Sequence, residues 1–298
     1  MIKNRLVLID SFALIFRAFY GIPASLTKDG HPINAAYGFT SALLASIKEL
    51  QPEYLVAAFD LPKPTKRHTD YAEYKATRKP MPDDLVPQIQ YCKKVLDTMN
   101  IPIVAAEGYE GEDIIATIVH QVKNEQMEFI IVTGDSDTFQ LVDKQTKVYS
   151  MARGTAQAAL YDEKKVTERY GLCPADFVDF KALKGDSSDN IPGVPGIGEK
   201  TACKLIQEYH NLENIYENIE KITGKVQTLL KENKEMAFLS RKLSQIQSDA
   251  PIQFNLADAR IHDFDRAKTI KLFEELSFKS LIVRLPETHR TNNQLGLF

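Results

Sequence analysis

The chain has 298 residues, with 37 Lys and Arg against 40 Asp and Glu, for a formal net charge of −3. Hydrophobic content of 44% and charged content of 26% exclude a disordered, collagenous or disulfide-scaffold protein, and no apolar run approaches the roughly 18 residues of a membrane span. The length suits one large domain or two ordinary ones, and on composition alone the slight acidic excess argues against a nucleic-acid partner.

The chain opens MIKNRLVLIDSF, a short apolar stretch broken by Asp10, which is not the pattern of a signal peptide. Within it Arg5–Asp10 (RLVLID) reads as a buried strand. Ala35–Leu50 predicts a helix ended by Pro52, and Tyr54–Asp60 (YLVAAFD) a second strand. Over Asp84–Met99 the apolar positions Leu85, Ile89, Cys92, Val95, Leu96 and Met99 keep a helical period. Ile101–Ala106 reads as a strand, Glu110–Lys123 as a helix and Phe129–Thr133 as another strand. Alternation of this kind implies βαβ units and a mostly parallel central sheet flanked by helices, an α/β fold. From about Ala175 the pattern is helical. The expected organisation is an α/β core over 1–174, a helical region over 175–285 and a tail over 286–298.

Cys92, Cys173 and Cys203 are odd in number and far apart, as in a reduced, cytoplasmic protein. No CxxC or HxxxH spacing suits structural zinc, and no GxSxG or His–nucleophile pairing suits a catalytic triad. One segment breaks the alternation. Leu61–Pro80 carries six basic residues against two acidic ones and three prolines. It reads either as a solvated loop or as a basic arch over an anion site.

The acidic residues are the most informative feature. Asp10 and Asp60 end the first two strands. Glu110, Glu112 and Asp113 follow the third after a Gly-containing turn, and Asp135 and Asp137 follow the fourth. In open parallel sheets the ligand crevice lies beyond the carboxyl ends of the strands, so these carboxylates share one edge. Asp186 and Asp189, in LKGDSSDN, add to the set. Any single group could be a helix cap or a turn residue. Crowded together they would repel one another unless cations neutralised them, and an oxygen-only ligand set selects Mg²⁺ or Mn²⁺. Two such ions cleave phosphodiesters by clamping the attacking and leaving oxygens.

Gly193–Ala202 (GVPGIGEKTA) falls short of a P-loop, because Glu199 stands before Lys200 and a helical pattern precedes it. It reads as a helix-hairpin-helix over about 186–209, or as a plain helical hairpin with a Gly-rich turn. In the first case the following helix offers its N-terminus to backbone phosphate without reading sequence.

At this point the chain resembles the 5′→3′ exonuclease domain of bacterial DNA polymerase I and its flap endonuclease relatives. The matching blocks are VLIDSFALIFRAFY, AAFDLPKPTKRHTDYAEYKATRKPMPDDL, GYEGEDIIATI, VTGDSDTFQLV and LKGDSSDNIPGVPGIGEKTA. The resemblance implies a PIN-like core and a two-metal nuclease acting on DNA with a 5′ flap, nick or gap, RNA primers included. It implies that Asp10, Asp60, Glu110, Glu112, Asp113 and Asp135 form a first metal cluster, and Asp137, Asp186 and Asp189 a second. Arg17 matches an arginine near the scissile phosphate, the segment over about 61–80 matches the family's helical arch, and Lys75 and Arg78 match basic residues at its base. Their spacing would put them on one helix face. Lys66, Arg67, Tyr74 and Lys79 would meet DNA along the arch, Tyr74 by stacking. Gly193, Gly196, Ile197, Gly198, Lys200 and Thr201 would hold duplex backbone, with a K⁺ ion. The family usually has GYEADD where this chain has GYEGED, so Glu112 is one methylene longer than the usual Asp.

The final residues Gln294-Leu295-Gly296-Leu297-Phe298 resemble the bacterial sliding-clamp-binding pentapeptide. Gln294, Leu295, Leu297 and Phe298 would fill the clamp pocket, unless this apolar end folds back on the domain. The expected setting is the cytoplasm, at the nucleoid, with no membrane. Alternatives are a catalytically silent flap-DNA binder recruited to the clamp and a PIN-type RNase. Setting the nine acids aside leaves a charge of +6, so the bulk value conceals an acidic pocket beside a basic segment.

Overall fold

The computed structural model describes residues 4–124, 126–151, 158–261 and 263–287. In chain order the first half runs β1 (Asn4–Asp10), α1 (Ser11–Gly21), a hairpin of β2 (Thr27–Lys28) and β3 (His31–Pro32), α2 (Asn34–Leu50), β4 (Tyr54–Ala58), α3 (Lys66–Asp70), α4 (Val86–Thr98), β5 (Ile103–Val104), α5 (Gly111–Val122), β6 (Met127–Thr133), β7 (Thr146–Ser150) and β8 (Ala159–Tyr161). The remainder is helical: α6 (Glu163–Tyr170), α7 (Phe177–Lys184), α8 (Glu199–Tyr209), α9 (Leu212–Glu217), α10 (Lys225–Glu232), α11 (Lys234–Ser244), α12 (Arg266–Glu275) and α13 (Lys279–Ile282).

The central sheet has the order β5-β4-β1-β6-β7-β8. Every pairing is parallel except β7 with β8. Because strand side chains alternate, each central strand feeds two cores. Leu6 and Leu8 face a cluster with α5, α7 and α8, whereas Val7 and Ile9 face one with α1, α2, α4, α12 and α13. The first of these cores runs without a break from the sheet into the helices beyond residue 175. Phe129 is fully buried in it, and its truncation to Ala would cost about 3–5 kcal/mol.

Four local features go beyond or depart from the sequence pattern. Helix α1 starts on the residue after β1 with no turn between them, because the Asp10 side chain accepts the Ala13 N–H and caps it. Gly38 lets α2 lie close on α1: a Cβ there would meet the Ala18 Cβ at 2.5 Å. Strands β7 and β8 extend the sheet where the sequence carried no strand signal. Most importantly, the basic segment is not a long helix. After five residues of α3 the chain turns, and Lys75 sits at φ +56°. The expected shared helix face of Lys75 and Arg78 therefore does not exist. The two side chains still converge, through the turn.

Candidate metal and nucleic-acid site

The parallel register brings the acids together. Asp10 on β1 stands opposite Ala58 of β4, two residues before Asp60, and Thr133 ends β6 two residues before Asp135. Glu110, Glu112 and Asp113 open α5, which follows β5 through a turn at Gly108. Asp186 and Asp189 arrive on a loop closed on itself by mutual N–H to carbonyl bonds of Asp186 and Ile191, both 2.8 Å. Gly193, at φ +64°, backs onto the start of that loop: a Cβ there would lie 2.3 Å from the Gly185 nitrogen.

Two environments divide these carboxylates. Asp10, Asp60 and Asp135 make no ion pair among the described residues. Burial first, then the charges of Asp60 and Asp135, push the Asp10 carboxyl up to about 7, although Thr133 Oγ1 donates to it at 2.6 Å. Burial and Glu110 raise Asp60 as well, against the Gly111 N–H that it accepts. Glu112 is raised well above the usual range by burial, with Arg67 opposing at 3.7 Å and Asp137 adding repulsion. Asp135 caps the 3-10 turn that follows β6 by accepting the Asp137 N–H at 2.9 Å.

The other acids have protein cations. Lys75 Nζ lies 2.8 Å from Glu110 and 3.6 Å from Asp189, and Arg78 donates to Asp189. Burial works against the Asp189 charge, but Lys75 and Arg78 outweigh it and hold the carboxyl below its usual range. Lys181, buried on α7, bridges Asp137 and Asp186. Asp186 is thereby held down to about 2 against its burial, whereas Asp137 still rises to about 7 through burial and the neighbouring Asp135.

Several expected roles change. Asp113 has no face left for an ion. Arg67 grips both of its oxygens at 2.7 and 2.8 Å, and the Glu110 and Gln247 N–H groups donate to it as well. Arg67 is consequently buried and cannot lie along DNA. Tyr74 is only 2% exposed and its hydroxyl donates to Glu110 and Asp189, so it cannot stack on a base. Ile197 is buried in the core, and Gly193 serves loop closure. Lys181 and Thr133 are site residues that the sequence pattern did not reveal. Lys181, five residues before Asp186, is one of two lysines in a helix that also carries Asp179, so nothing in the pattern set it apart.

Arg17, on α1, makes no ion pair among the described residues, and partial burial lowers its proton affinity. Lys66 and Lys79 are exposed, Lys66 lying 4.1 Å from the Tyr109 ring. Between α7 and α8 the hairpin presents Gly196, Gly198 and Lys200 at the surface, with Thr201 half-buried. Gln294, Leu295, Leu297 and Phe298 lie outside the described residues. No described helix is long and apolar enough to cross a membrane.

Among the described residues, no three Asp, Glu, His or Cys groups converge tightly enough to cage an ion as they stand. Pairs do converge, each on one ammonium group: Asp137 and Asp186 on Lys181, and Glu110 and Asp189 on Lys75. The donors are oxygen only. Three carboxyls, Asp10, Asp60 and Glu112, are pushed toward protonation by burial and by neighbouring acids, which is the environment a hard divalent ion relieves.

Comparison with known proteins gives consistent matches. A family model for the 5′-3′ exonuclease N-terminal resolvase-like domain matches residues 5–171, and one for the 5′-3′ exonuclease C-terminal SAM fold matches 172–267. DNA polymerase I of Caldicellulosiruptor bescii is 42% identical over 283 residues, covering 94% of this chain and 33% of that protein. DNA polymerase I of Bacillus subtilis is 37% identical over 286 residues, covering 96% and 32%. The chain thus spans about a third of the length of these curated relatives. Among solved structures, a T5 5′-exonuclease with bound divalent zinc aligns at TM-score 0.67 and 22% identity, covering 94% of this chain and all of that one. The catalytic core of Rad2 in complex with a DNA substrate aligns at TM-score 0.57 and 17% identity, covering 95% and 93%. At these identities the two structures attest the fold.

Proposed function

The chain belongs to the 5′-3′ exonuclease family, whose members are nucleases, and from that footing we propose a structure-specific 5′ nuclease that uses two divalent ions. Its substrates are DNA with a 5′ flap, nick or gap, including the RNA primer of an RNA–DNA hybrid. The observation that carries this is the set of desolvated carboxylates at the strand ends that make no ion pair among the described residues, with Lys75 and Arg78 on the neighbouring acids.

Asp10, Asp60, Glu112 and Asp135, with Glu110 behind them, would hold one Mg²⁺ or Mn²⁺. Asp137, Asp186 and Asp189 would hold the other, and the carboxylates would have to draw in around both. When bound, such ions supply an activated water and stabilise the leaving oxygen. Arg17, Lys75 and Arg78 orient the scissile phosphate and offset its developing charge, Lys75 and Arg78 exchanging carboxylate partners for phosphate. Lys66 and Lys79 attract the strand electrostatically. Gly196, Gly198, Lys200 and Thr201 hold duplex backbone without sequence preference, with K⁺ as the accompanying ion. The products serve primer removal and excision repair at the nucleoid. Gln294–Phe298 binds the sliding clamp, and deleting it should abolish clamp binding while leaving flap cleavage intact.

The deciding experiment is a labelled 5′-flap substrate with a Mg²⁺ and Mn²⁺ titration. Metal-dependent release of 5′ fragments supports the proposal. Binding without cleavage at every metal concentration would leave a silent flap binder, and preference for an all-RNA duplex would leave an RNase.

A further inference from the structure

Arg67 is the most heavily bonded cation among the described residues, and no metal or phosphate role uses it. Its guanidinium makes a two-point pair with Asp113 at 2.7 and 2.8 Å. The same group donates from Nε to the Leu243 carbonyl at 3.0 Å and from Nη2 to the Gln245 carbonyl at 2.8 Å. It also lies 3.4 Å from Glu110 and 3.7 Å from Glu112. Asp113 in turn accepts the Glu110 N–H at 3.0 Å and the Gln247 N–H at 2.7 Å. One buried fork thus joins α3, the first turn of α5 and the segment that leaves α11.

We propose that Arg67 and Asp113 form a clasp that positions Glu110 and Glu112 at the metal site. Arg67 is then a positioning residue rather than a phosphate contact, and Asp113 is its anchor rather than a metal ligand. The physical reason lies in the first turn of α5. Glu110 and Glu112 stand two residues apart and both lie within 4 Å of the one guanidinium, so without that cation their like charges would push them apart. Asp113 cannot offset that charge itself, because it is another carboxylate. By neutralising Asp113 and standing within 4 Å of both Glu side chains, Arg67 holds the turn in place without occupying their outward faces. Lysine would keep the charge but could not span two carboxylate oxygens and two carbonyls at once. The pairing also links the basic segment mechanically to the acids, because α3 is the element that leads into Lys75 and Arg78.

This inference rests on the proposed metal-dependent chemistry, and the test separates the two. Mn²⁺ binding and single-turnover flap cleavage are measured for the whole chain and for Arg67→Lys, Asp113→Asn and the double variant. Affinity for flap DNA in Ca²⁺ is measured across a salt series, and thermal melting runs alongside. A wild-type chain that binds no Mn²⁺ overturns the proposed function. If it binds, the clasp predicts that each single variant weakens Mn²⁺ affinity by about 10- to 100-fold, the usual cost of losing the partner that orients a ligand. The double variant should be no worse than the weaker single one, because the pair acts as a unit. DNA affinity should stay within about twofold and its salt slope unchanged. Arg67→Gln, which removes the charge, joins the same measurements: a salt slope shallower by about 1, with Mn²⁺ affinity intact, would identify a phosphate contact and overturn the clasp. Independent, multiplying losses would also overturn it. If Arg67→Lys does not fold, the isosteric Asp113→Asn carries the same prediction. In the unmodified chain the Glu110 and Gln247 amides should exchange slowly and together; rapid exchange at either one would sink the idea.

Discussion

Asp10 and Asp186 are the same residue type at the same site, and they are driven in opposite directions. Burial raises Asp10 to about 7 because no cation of the chain stands beside it. Asp186 is also desolvated, yet Lys181 holds it down to about 2. Asp137 shows what one lysine can and cannot do. It shares Lys181 with Asp186 but sits next to Asp135, and it rises to about 7. The strand-end acids therefore lack a counter-charge that the loop acids already possess. Charge of either origin, an external ion or a built-in lysine, can serve the same carboxylates.

The comparison breaks most sharply if the strand-end acids prove dispensable. Asp135→Ala should lower single-turnover flap cleavage by several orders of magnitude while DNA binding in Ca²⁺ largely persists; turnover close to wild type would end the metal assignment. Next in size is Lys181→Met. Removing the built-in cation leaves Asp137 and Asp186 facing each other. The melting temperature in EDTA should fall by several degrees, and Mg²⁺ should restore most of the loss. A variant equally stable in EDTA would show that Lys181 neutralises nothing of consequence.

A smaller, continuous effect is the pH dependence. For Asp10 and Asp137 the folded-state value, about 7, lies above the ordinary value of 3.8, so the folded chain holds more protons than the unfolded chain between those limits. Their contribution therefore favours folding at low pH and is lost as pH rises from about 4 to about 7. Asp186 has the opposite sign: its contribution is present above 3.8 and lost as pH falls toward about 2. Melting in EDTA should decline toward neutral pH, and the gain from added Mg²⁺ should widen over the same range. A gain independent of pH would separate the ion from these carboxyls. The smallest effect is expected for Glu112→Asp. Shortening the side chain by one methylene moves it from Arg67, now 3.7 Å away, and should change the half-saturating Mg²⁺ concentration by less than about tenfold.

Much of the site was legible in the sequence because it is local. Asp10 ends β1, Asp60 and Asp135 follow β4 and β6 by two residues, the apolar runs of all three strands are plain, and the carboxyl ends of parallel strands meet at one edge. The acids after β5 and in the Asp186 loop were legible as motifs. Helix α1 was hidden because it starts directly after β1, with the last strand residue, Asp10, as its cap and no turn residues between them. The two short strands β7 and β8 carry too few residues to show a period.

Sequence alone determined which chemistry the chain can perform: an oxygen-only set of nine acids beside a basic segment, on a parallel α/β frame. Tertiary structure decided which of those groups are free to perform it. Arg67 reads as one more basic residue until α3, α5 and the end of α11 enclose it, and Asp113 reads as a ligand until that arginine takes both oxygens. Tyr74 reads as an exposed aromatic until it packs beneath Asp189 and Glu110. Burial and pairing are properties of neighbours distant in sequence, and Lys181 in particular meets Asp137 across 44 residues. A residue's type fixes the charge it can carry, whereas only the packed fold fixes what that charge is spent on.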